Sequence, residues 1–401
     1  MGFFMWKKIV VFFMCVLLMG QTANVMGMTA YVETAGNVTG DNLDISAHSA
    51  ILLEAETGKV LYEKDADLEV SPASITKIMT LILIFDQIKS GKLDYEDLVT
   101  TSEHAKSMGG SQVFLETGEQ QSVDTLIKCI IIASGNDACV AMAEHIAGSE
   151  EEFVKKMNER AAGLGMTHTV FRDCCGLYDT MEHHTSARDV GIMSRELITK
   201  YPEIFQYSSV WMENITHTTD KGSKEFTLAN TNKLLKQYSY ATGLKTGSTS
   251  LAKYCVSATA EKDGVKLIAV IMGAKDYKAR FAEAKTLLEY GYNMISIYED
   301  TELKKEKIPV KGGTRAYVYG ETRENFKYIC GKDQNSADII KKKHIPKSLR
   351  APLKKGDSIG SYDYYIGNEK IGDAKIYATN GVNKKGYMDY YINFWYNFFN
   401  Q

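Results

Sequence analysis

The chain has 401 residues, of which 44% are apolar and 24% are charged, and its formal net charge at pH 7 is −3. This composition is globular, and no internal apolar run reaches the roughly 18 residues that a membrane-spanning helix needs. A body built of membrane spans is therefore excluded. The length predicts two or three domains, and we expect no nucleic-acid partner.

Residues 1–30 differ from the rest of the chain. Two lysines precede an apolar run over 9–19, and small residues follow it, among them Gly27 and Ala30. A positive stretch, a short apolar stretch and a small-residue cleavage site are typical of a secretory signal peptide. We therefore expect this segment to direct export and to be removed after Gly27 or Ala30. An uncleaved N-terminal anchor is the alternative.

Six cysteines follow this segment, and none has the spacing of a metal ligand. No C-x-x-C or Cys/His pattern of a zinc site occurs, and the adjacent Cys174 and Cys175 make a poor chelate. Cys129 and Cys139 lie in apolar helical settings, where cysteine usually acts as a small buried apolar side chain. We expect no metal ion.

The first predicted elements are a β-hairpin and a long helix. Apolar runs at 50–55 and 60–62 flank a turn that contains glycine, which predicts a hairpin. Ser71 and Pro72 then predict a helix start with Ser71 as N-cap, and apolar residues recur at helical spacing until Gly91. Because this helix is apolar over most of its girth, we expect it at the centre of its domain.

The next segments alternate helical and strand patterns. They are predicted, in chain order, as helices at 123–133 and 137–146, strands at 254–258 and 265–272, and a helix at 282–290. The string Ser134-Gly135-Asn136 forms the loop between the first two helices, and a Lys-Asp-Gly turn joins the two strands. This pattern indicates an α+β domain of the α/β sandwich kind at 44–300.

The C-terminal part has a different charge. Residues 301–387 hold 19 Lys and Arg against 10 Asp and Glu, whereas the rest of the chain is acidic. Short apolar pieces separated by Gly and Lys predict a small all-β domain at 301–386. Its basic face, which includes Lys341-Lys342-Lys343, either meets an anionic lipid or wall polymer or is simply solvated.

The last segment, 387–401, has the pattern of an aromatic amphipathic helix. Tyr387, Tyr391, Trp395 and Phe398 recur at helical spacing, and uncharged polar residues lie away from that stripe. Such a face suits a helix that lies in the interface of a bilayer. We expect it to hold the protein peripherally on the outer face of the cytoplasmic membrane. Packing on the β domain or on a second copy is the alternative.

Three short strings carry the chemistry: Ser74-Ile75-Thr76-Lys77, Ser134-Gly135-Asn136 and Lys245-Thr246-Gly247. In this order they are a signature of serine acyl-transfer enzymes. Residues i and i+3 of a helix share a face, so Lys77 reaches the Ser74 hydroxyl and, when neutral, takes its proton. We expect Ser74 in the first helical turn, where free N–H groups favour an oxyanion.

The second string is expected to serve the same reaction. Ser134 would relay a proton between Lys77 and the leaving group, and the Asn136 amide can both donate to and accept from a peptide backbone. His183 and His184 suggest a Ser-His-Asp arrangement. A base is already supplied, however, and the two histidines precede a helix N-cap region, so we interpret them as structural.

The third string suits a terminal carboxylate. Lys245 offers a point charge and Thr246 a hydroxyl, and Gly247 lets a peptide lie against the strand edge. The backbone N–H groups of the nucleophile and of Ser248 are the expected oxyanion donors. Arg280 either assists the carboxylate site or pairs on the surface.

At these residues the chain resembles the D-alanyl-D-alanine carboxypeptidases, the low-molecular-mass penicillin-binding proteins of peptidase family S11. The matching residues are those at 71–80, 134–138, 157–158, 164–166, 185–189 and 243–247. The resemblance implies a β-lactamase/transpeptidase-like domain with an antiparallel sheet and a helical subdomain, followed by a small all-β domain. It also implies removal of the last D-Ala from peptidoglycan pentapeptide stems through an acyl-Ser74 intermediate, β-lactams as covalent inhibitors, and no metal or organic cofactor.

Three other functions stay open. A class A-like β-lactamase uses the same strings but needs a deacylating glutamate, and no E-x-x-L-N-like string occurs between Asn136 and Lys245. A D,D-endopeptidase acting on cross-bridges would use the same residues as a carboxypeptidase. An inactive wall-binding scaffold would not need intact Ser74, Lys77 and Lys245. The sequence also does not separate a role in the vegetative wall from one in spore cortex.

Overall fold

The computed structural model describes residues 43–220, 222–302, 305–331 and 334–399. The predicted signal peptide lies outside these ranges. The α-helices in them are α1 (Lys77–Lys89), α2 (Glu103–Ser107), α3 (Val123–Ile131), α4 (Asn136–Ala147), α5 (Glu150–Gly163), α6 (Ala187–Lys200), α7 (Phe205–Ser208), α8 (Leu234–Gln237), α9 (Tyr277–Met294) and α10 (Tyr387–Phe399). Short 3-10 helices cover Ala73–Thr76, Pro202–Ile204 and Ser336–Asp338.

The strands fall into a set before α9 and a set after it. The first set is β1 (Ser49–Glu54), β2 (Val60–Lys64), β3 (Leu98–Thr100), β4 (Gln120–Ser122), β5 (Met212–Thr219), β6 (Gly222–Ala229), β7 (Ala241–Thr249), β8 (Lys253–Lys262) and β9 (Val265–Ala274). The second is β10 (Ser296–Asp300), β11 (Glu306–Lys311), β12 (Tyr317–Thr322), β13 (Phe326–Cys330), β14 (Ile339–His344), β15 (Leu349–Arg350), β16 (Ser358–Ile366) and β17 (Glu369–Ala378).

A five-stranded antiparallel sheet in the order β2-β1-β9-β8-β7 forms the centre of the first part. Successive side chains of a strand point to opposite faces, and both faces here are apolar. Ile268 and Val270 of β9 belong to the core shared with the helices α1 to α6, whereas Leu267 and Ala269 belong to the core beneath α9. The sheet is therefore covered on both sides, and β7 is left at one edge.

The predicted elements of this part are confirmed in type. The two predicted hairpins are β1-β2 and β8-β9, and α1 is buried along nearly its whole length, as its apolar girth predicts. The predicted start of α1 was wrong. Pro72, not Ser71, precedes a 3-10 turn with no side-chain cap, and the regular helix begins only at Lys77.

The second part is all β, so the predicted fold class is confirmed. A six-stranded sheet in the order β14-β16-β17-β12-β11-β15 encloses its own apolar core, and β10 pairs with β13 beside it. Helix α10 follows, and its aromatic side chains are exposed: Phe394 is 62% and Phe399 75% exposed. Within the described ranges, no helix has the length and apolar character needed to cross a membrane.

Candidate functional site

Ser74 lies on the 3-10 turn Ala73–Thr76 rather than in the first turn of a regular α-helix. Ala73 takes a φ of +47°, a conformation in which a side chain is strained, so the neighbours must hold this turn in place. The Thr76 hydroxyl donates to the Ala73 carbonyl at 2.8 Å. His183 lies 2.9 Å from that hydroxyl and is fully buried.

The tautomer of His183 follows from its second ring nitrogen. Nδ1 accepts from the backbone N–H of Arg172 at 3.3 Å, so the proton of the neutral ring belongs on Nε2, which donates to Thr76. Burial lowers the pKa of His183 and keeps this neutral form. His183 is therefore structural, as predicted, because its contact with Thr76 stabilises the turn that carries Ser74.

Lys77 opens α1 and has no exposed surface. Its Nζ lies 2.9 Å from Ser74 Oγ, 2.6 Å from Asn136 Oδ1 and 2.6 Å from the backbone oxygen of Cys175. The predicted contact between Lys77 and Ser74 is therefore present. The carbonyl of Cys175 was not expected, because nothing in the local sequence marks a backbone acceptor.

Ser134 lies between α3 and α4, as predicted, with a φ of +61° and 3% exposure. Its Oγ accepts a hydrogen bond from Lys245 Nζ at 2.9 Å, and no hydrogen bond joins it to Lys77 in the described part of the chain. Burial is the main cause that lowers the pKa of Lys245, and the nearby positive charge of Lys77 lowers it further. A second buried lysine thus holds the Ser134 hydroxyl.

Asn136 is the first residue of α4, not a loop residue. Its Oδ1 is bound by Lys77, and its Nδ2 donates to the Gly109 carbonyl at 2.7 Å. The neighbouring Asp137 accepts from the backbone N–H groups of Val113 and Leu115, at 3.1 Å for the nearer oxygen in each case. The amide expected to bind substrate therefore also ties the loop after α2 to the lysine.

Strand β7 brings the third string against the nucleophile. A Cβ added at Gly247 would lie 2.8 Å from the Pro72 oxygen and 3.1 Å from the Ser74 nitrogen. Glycine is therefore needed for the approach of β7 to the Ser74 turn. Ser248 follows and is exposed, and the Thr246 hydroxyl donates to Thr231 Oγ1 at 2.8 Å.

Arg280 stands behind β7 and is only 9% exposed, so the surface ion pair considered for it was wrong. Its Nη1 donates to the backbone oxygens of Gly247 at 3.1 Å and Cys255 at 3.3 Å. The guanidinium carbon lies 4.7 Å from the Phe281 ring centre, and Nε is buried with no hydrogen-bond partner among the residues that the structure describes. Burial lowers the pKa of Arg280, and its positive charge is held directly behind the third string.

Two residues that the sequence did not indicate complete the surroundings of Ser74. A Cβ at Gly176, where φ is +80°, would lie 1.8 Å from the Ala73 oxygen. The Asp179 carboxylate accepts from Thr249 at 2.5 Å, Ser250 at 2.7 Å and the Leu251 N–H at 3.2 Å. The loop from 173 to 183 thus ties the nucleophile turn to the end of β7.

The site holds the parts of a serine acyl-transfer reaction in one place. A hydroxyl, two buried lysines and a bracing network converge at the edge of β7, on whose outer side the described part of the chain places no strand. In the described residues, no group of three His, Cys, Asp or Glu side chains could hold a metal ion. The hydroxyl and the two lysines together form a candidate serine-lysine acyl-transfer site.

Comparisons with known proteins agree with this geometry. The sequence model of peptidase S11, D-alanyl-D-alanine carboxypeptidase, matches residues 34–276, and that of the C-terminal domain of penicillin-binding protein 5 matches residues 292–384. The D-alanyl-D-alanine carboxypeptidase DacF of Bacillus subtilis is 39% identical over 379 residues, which cover 93% of this chain and 95% of the relative. The chain belongs to the D-alanyl-D-alanine carboxypeptidase family, and it is a serine-type carboxypeptidase.

Solved structures of the family share both parts of the fold. Penicillin-binding protein 5 from Haemophilus influenzae is 31% identical with a TM-score of 0.66, and the match covers 86% of this chain and 99% of that one. PBP3 of Streptococcus pneumoniae, a peptidoglycan synthesis regulatory factor, is 26% identical with a TM-score of 0.69, covering 85% and 100%. The resemblance found in the sequence strings is thereby confirmed.

Proposed function

We propose that this carboxypeptidase removes the terminal D-Ala from peptidoglycan pentapeptide stems through an ester on Ser74. The observation that carries the proposal is the 2.9 Å contact between Lys77 Nζ and Ser74 Oγ inside a buried site. The other two partners of this nitrogen, the Asn136 amide oxygen and the Cys175 carbonyl, can only accept hydrogen bonds. A neutral amine that donates to both keeps its lone pair for the Ser74 proton.

Acylation then follows from the positions of these groups. Ser74 Oγ attacks the carbonyl carbon of the penultimate D-Ala while Lys77 takes the hydroxyl proton. The developing oxyanion is stabilised by the backbone N–H groups of Ser74 and Ser248. Lys77 then passes the Ser74 proton, by way of Ser134, to the leaving amine, and Lys245 holds the Ser134 hydroxyl in place. Water then hydrolyses the ester and restores Ser74.

The third string binds the end of the substrate. The free edge of β7 pairs with an extended peptide in the manner of an added strand. The Thr246 hydroxyl, which donates to Thr231 Oγ1, turns to donate to the terminal carboxylate when substrate binds. The charges of Lys245 and Arg280 draw that carboxylate to the edge. Arg280 acts from behind the strand, because its Nη1 is already bound to the Gly247 oxygen.

A β-lactam carries a reactive carbonyl and a carboxylate placed like the scissile carbonyl and the terminal carboxylate of the peptide substrate. We therefore propose that it acylates Ser74 and blocks the site. The structural relative from Haemophilus influenzae is a penicillin-binding protein by name, which supports this proposal. Membership in the family favours a carboxypeptidase over a class A-like β-lactamase and over an inactive scaffold.

The rest of the chain serves to place this site. We propose that residues 1–30 export the protein, that 44–300 is the peptidase domain and 301–386 a basic β domain, and that 387–401 binds the outer face of the cytoplasmic membrane. The exposed aromatic side chains of α10 support a helix lying in the bilayer interface, because water is an unfavourable partner for them. The enzyme then acts on the stems of the cell wall or of spore cortex.

The test is an assay of the purified protein on a defined pentapeptide ending in D-Ala-D-Ala. We expect release of one free D-Ala for each peptide, loss of release in Ser74→Ala and Lys77→Ala, and unchanged release in Ser90→Ala, a matched exposed serine at the end of α1. Release that persists in Ser74→Ala would contradict the proposed nucleophile. Normal acylation of Lys77→Ala would remove Lys77 as the base.

A further inference from the structure

A cavity with a volume of about 550 Å³ opens between α8 and the first turns of α9. Lys233 lines it from the side of α8, and Tyr277, Lys278 and Lys285 line it from α9. It lies over the apolar core beneath α9, to which Phe281 in its wall belongs. The reaction proposed above uses none of these side chains. The cavity is therefore a basic feature of this face that the peptidase chemistry does not explain.

A chain of aromatic contacts extends this basic feature along the surface. Lys285 Nζ, in the cavity, lies 5.8 Å from the ring centre of Tyr238. The ring centres of Tyr238 and Tyr240 are 5.5 Å apart, and Lys262 Nζ lies 5.4 Å from the Tyr240 ring centre. Lysines and tyrosines thus alternate from the cavity to the end of β8. We call this surface the basic-aromatic strip, and it comprises Lys233, Tyr277, Lys278, Lys285, Tyr240 and Lys262.

The lysines of the strip keep their positive charge available. Lys233 Nζ lies 5.2 Å and Lys278 Nζ 5.8 Å from the centre of the same Tyr277 ring. A ring attracts an ammonium group through its quadrupole but does not neutralise it, so the N–H groups can still donate to an anion. In the described ranges, the only strip lysine with a carboxylate at ion-pair distance is Lys285, which lies 3.7 Å from Glu289. An anion placed along the strip would therefore be attracted by several ammonium groups at once.

The order of these groups indicates a polymer with spaced charges. A phosphodiester polymer alternates charged phosphates with neutral polyol or sugar units, as the strip alternates ammonium groups with rings. A lysine ammonium is a compact point charge, which binds a phosphate oxygen without needing a fixed orientation. Tyr277 and Tyr240 are 43% and 41% exposed, so they offer apolar ring surface to the C–H groups of the neutral units. An acidic peptide has no such regular alternation, and it therefore matches the strip less well.

We propose that the basic-aromatic strip binds a phosphodiester polymer of the cell wall and thereby keeps the peptidase domain against the wall. This binding site goes beyond the proposed function, which supplies only the extracellular setting in which such a polymer is met. Successive phosphates contact successive lysines of the strip. Each contact is weak by itself, so the affinity comes from several contacts along one polymer chain.

The experiment measures binding of the full-length protein to soluble poly(glycerol phosphate) by isothermal titration calorimetry. The test variant is Lys233→Gln with Lys278→Gln. The matched control is Lys307→Gln with Lys342→Gln, which removes the same charge from two lysines that also lie over tyrosine rings, but in the β domain. We expect the test variant to raise Kd by about tenfold, since each lost charge pair costs a few-fold, and the control to change Kd by less than about twofold. Added salt should weaken binding by the unaltered protein, and D-Ala release from a soluble pentapeptide should be the same in all three proteins.

Each other result has a definite meaning. No binding of the polymer by the unaltered protein, an unchanged Kd in the test variant, or an equal loss of binding in the control variant would overturn the inference. Equally tight binding of polyglutamate would assign the strip to an acidic peptide and also overturn it. Weaker binding of the test variant to phosphatidylglycerol vesicles, with polymer binding unchanged, would assign the lysines to a lipid headgroup instead. Absence of D-Ala release by the unaltered protein would contradict the proposed function and leave the binding result standing.

Discussion

Gly176→Ala tests whether the loop before α6 holds the nucleophile in place. The new Cβ would lie 1.8 Å from the Ala73 oxygen and 2.9 Å from the Ser74 nitrogen, and ordinary contacts of a Cβ begin at 3.4 Å. The loop and the Ser74 turn must therefore move apart by more than about 1 Å, a displacement that can cost about 10²-fold in rate. The positive φ of +80° adds about 1–2 kcal/mol of strain in the folded state.

The matched control is Gly165→Ala, because Gly165 has a φ of +76° and nothing within 4 Å of an added Cβ. Both variants should lose similar stability from the backbone, measured by thermal unfolding. Only Gly176→Ala should slow acylation by a fluorescent penicillin and the release of D-Ala, by about 10²-fold. If Gly176→Ala acylates within a few-fold of the unaltered protein, the reasoning about this contact is refuted.

Three further predictions follow from the surroundings of the site. Asp179→Ala should lower kcat for D-Ala release by about tenfold, because the end of β7 loses its hydrogen bonds to this carboxylate. Thr249→Ser keeps the hydroxyl that donates to Asp179, so its kcat should stay near normal. Burial lowers the pKa of His183 below its ordinary 6.5 in the folded protein. The unfolded chain therefore binds a proton on His183 more readily than the folded chain, and the free energy of unfolding falls as pH drops below about 6.5. His183→Gln should flatten that part of the stability profile, which denaturant unfolding at pH 5 and pH 7 measures. Deletion of 387–401 should abolish sedimentation with anionic vesicles and leave D-Ala release unchanged; retained sedimentation would contradict the anchor.

Much of the site could be predicted because its residues carry local signals. Ser74 and Lys77 are three residues apart, and the break at Ser134-Gly135-Asn136 is visible in the apolar pattern. Alternating apolar residues likewise predicted the buried hairpin β8-β9. Such patterns are visible in a sequence because the side chains of helices and strands repeat with fixed periods.

The rest depends on contacts between segments distant in sequence. The Cys175 carbonyl on Lys77 and the Asp179 carboxylate at the end of β7 involve residues about 98 and 70 positions away from their partners. A contact made by a backbone carbonyl cannot be recognised from the residue type, and a single aspartate in a loop is part of no recurring sequence pattern. The predicted cap at Ser71 failed for a similar reason, since close packing of Gly176 and Gly247 on the turn decides its shape.

The central claim is that Ser74, activated by Lys77, forms an ester with the substrate carbonyl. The most direct measurement is the mass of the intact protein after exposure to benzylpenicillin, followed by peptide mapping of the adduct. We predict one added penicillin per chain, located on the peptide that contains Ser74 and absent from Ser74→Ala and Lys77→Ala. An adduct on another residue, or an equal adduct in Ser74→Ala, would contradict the account.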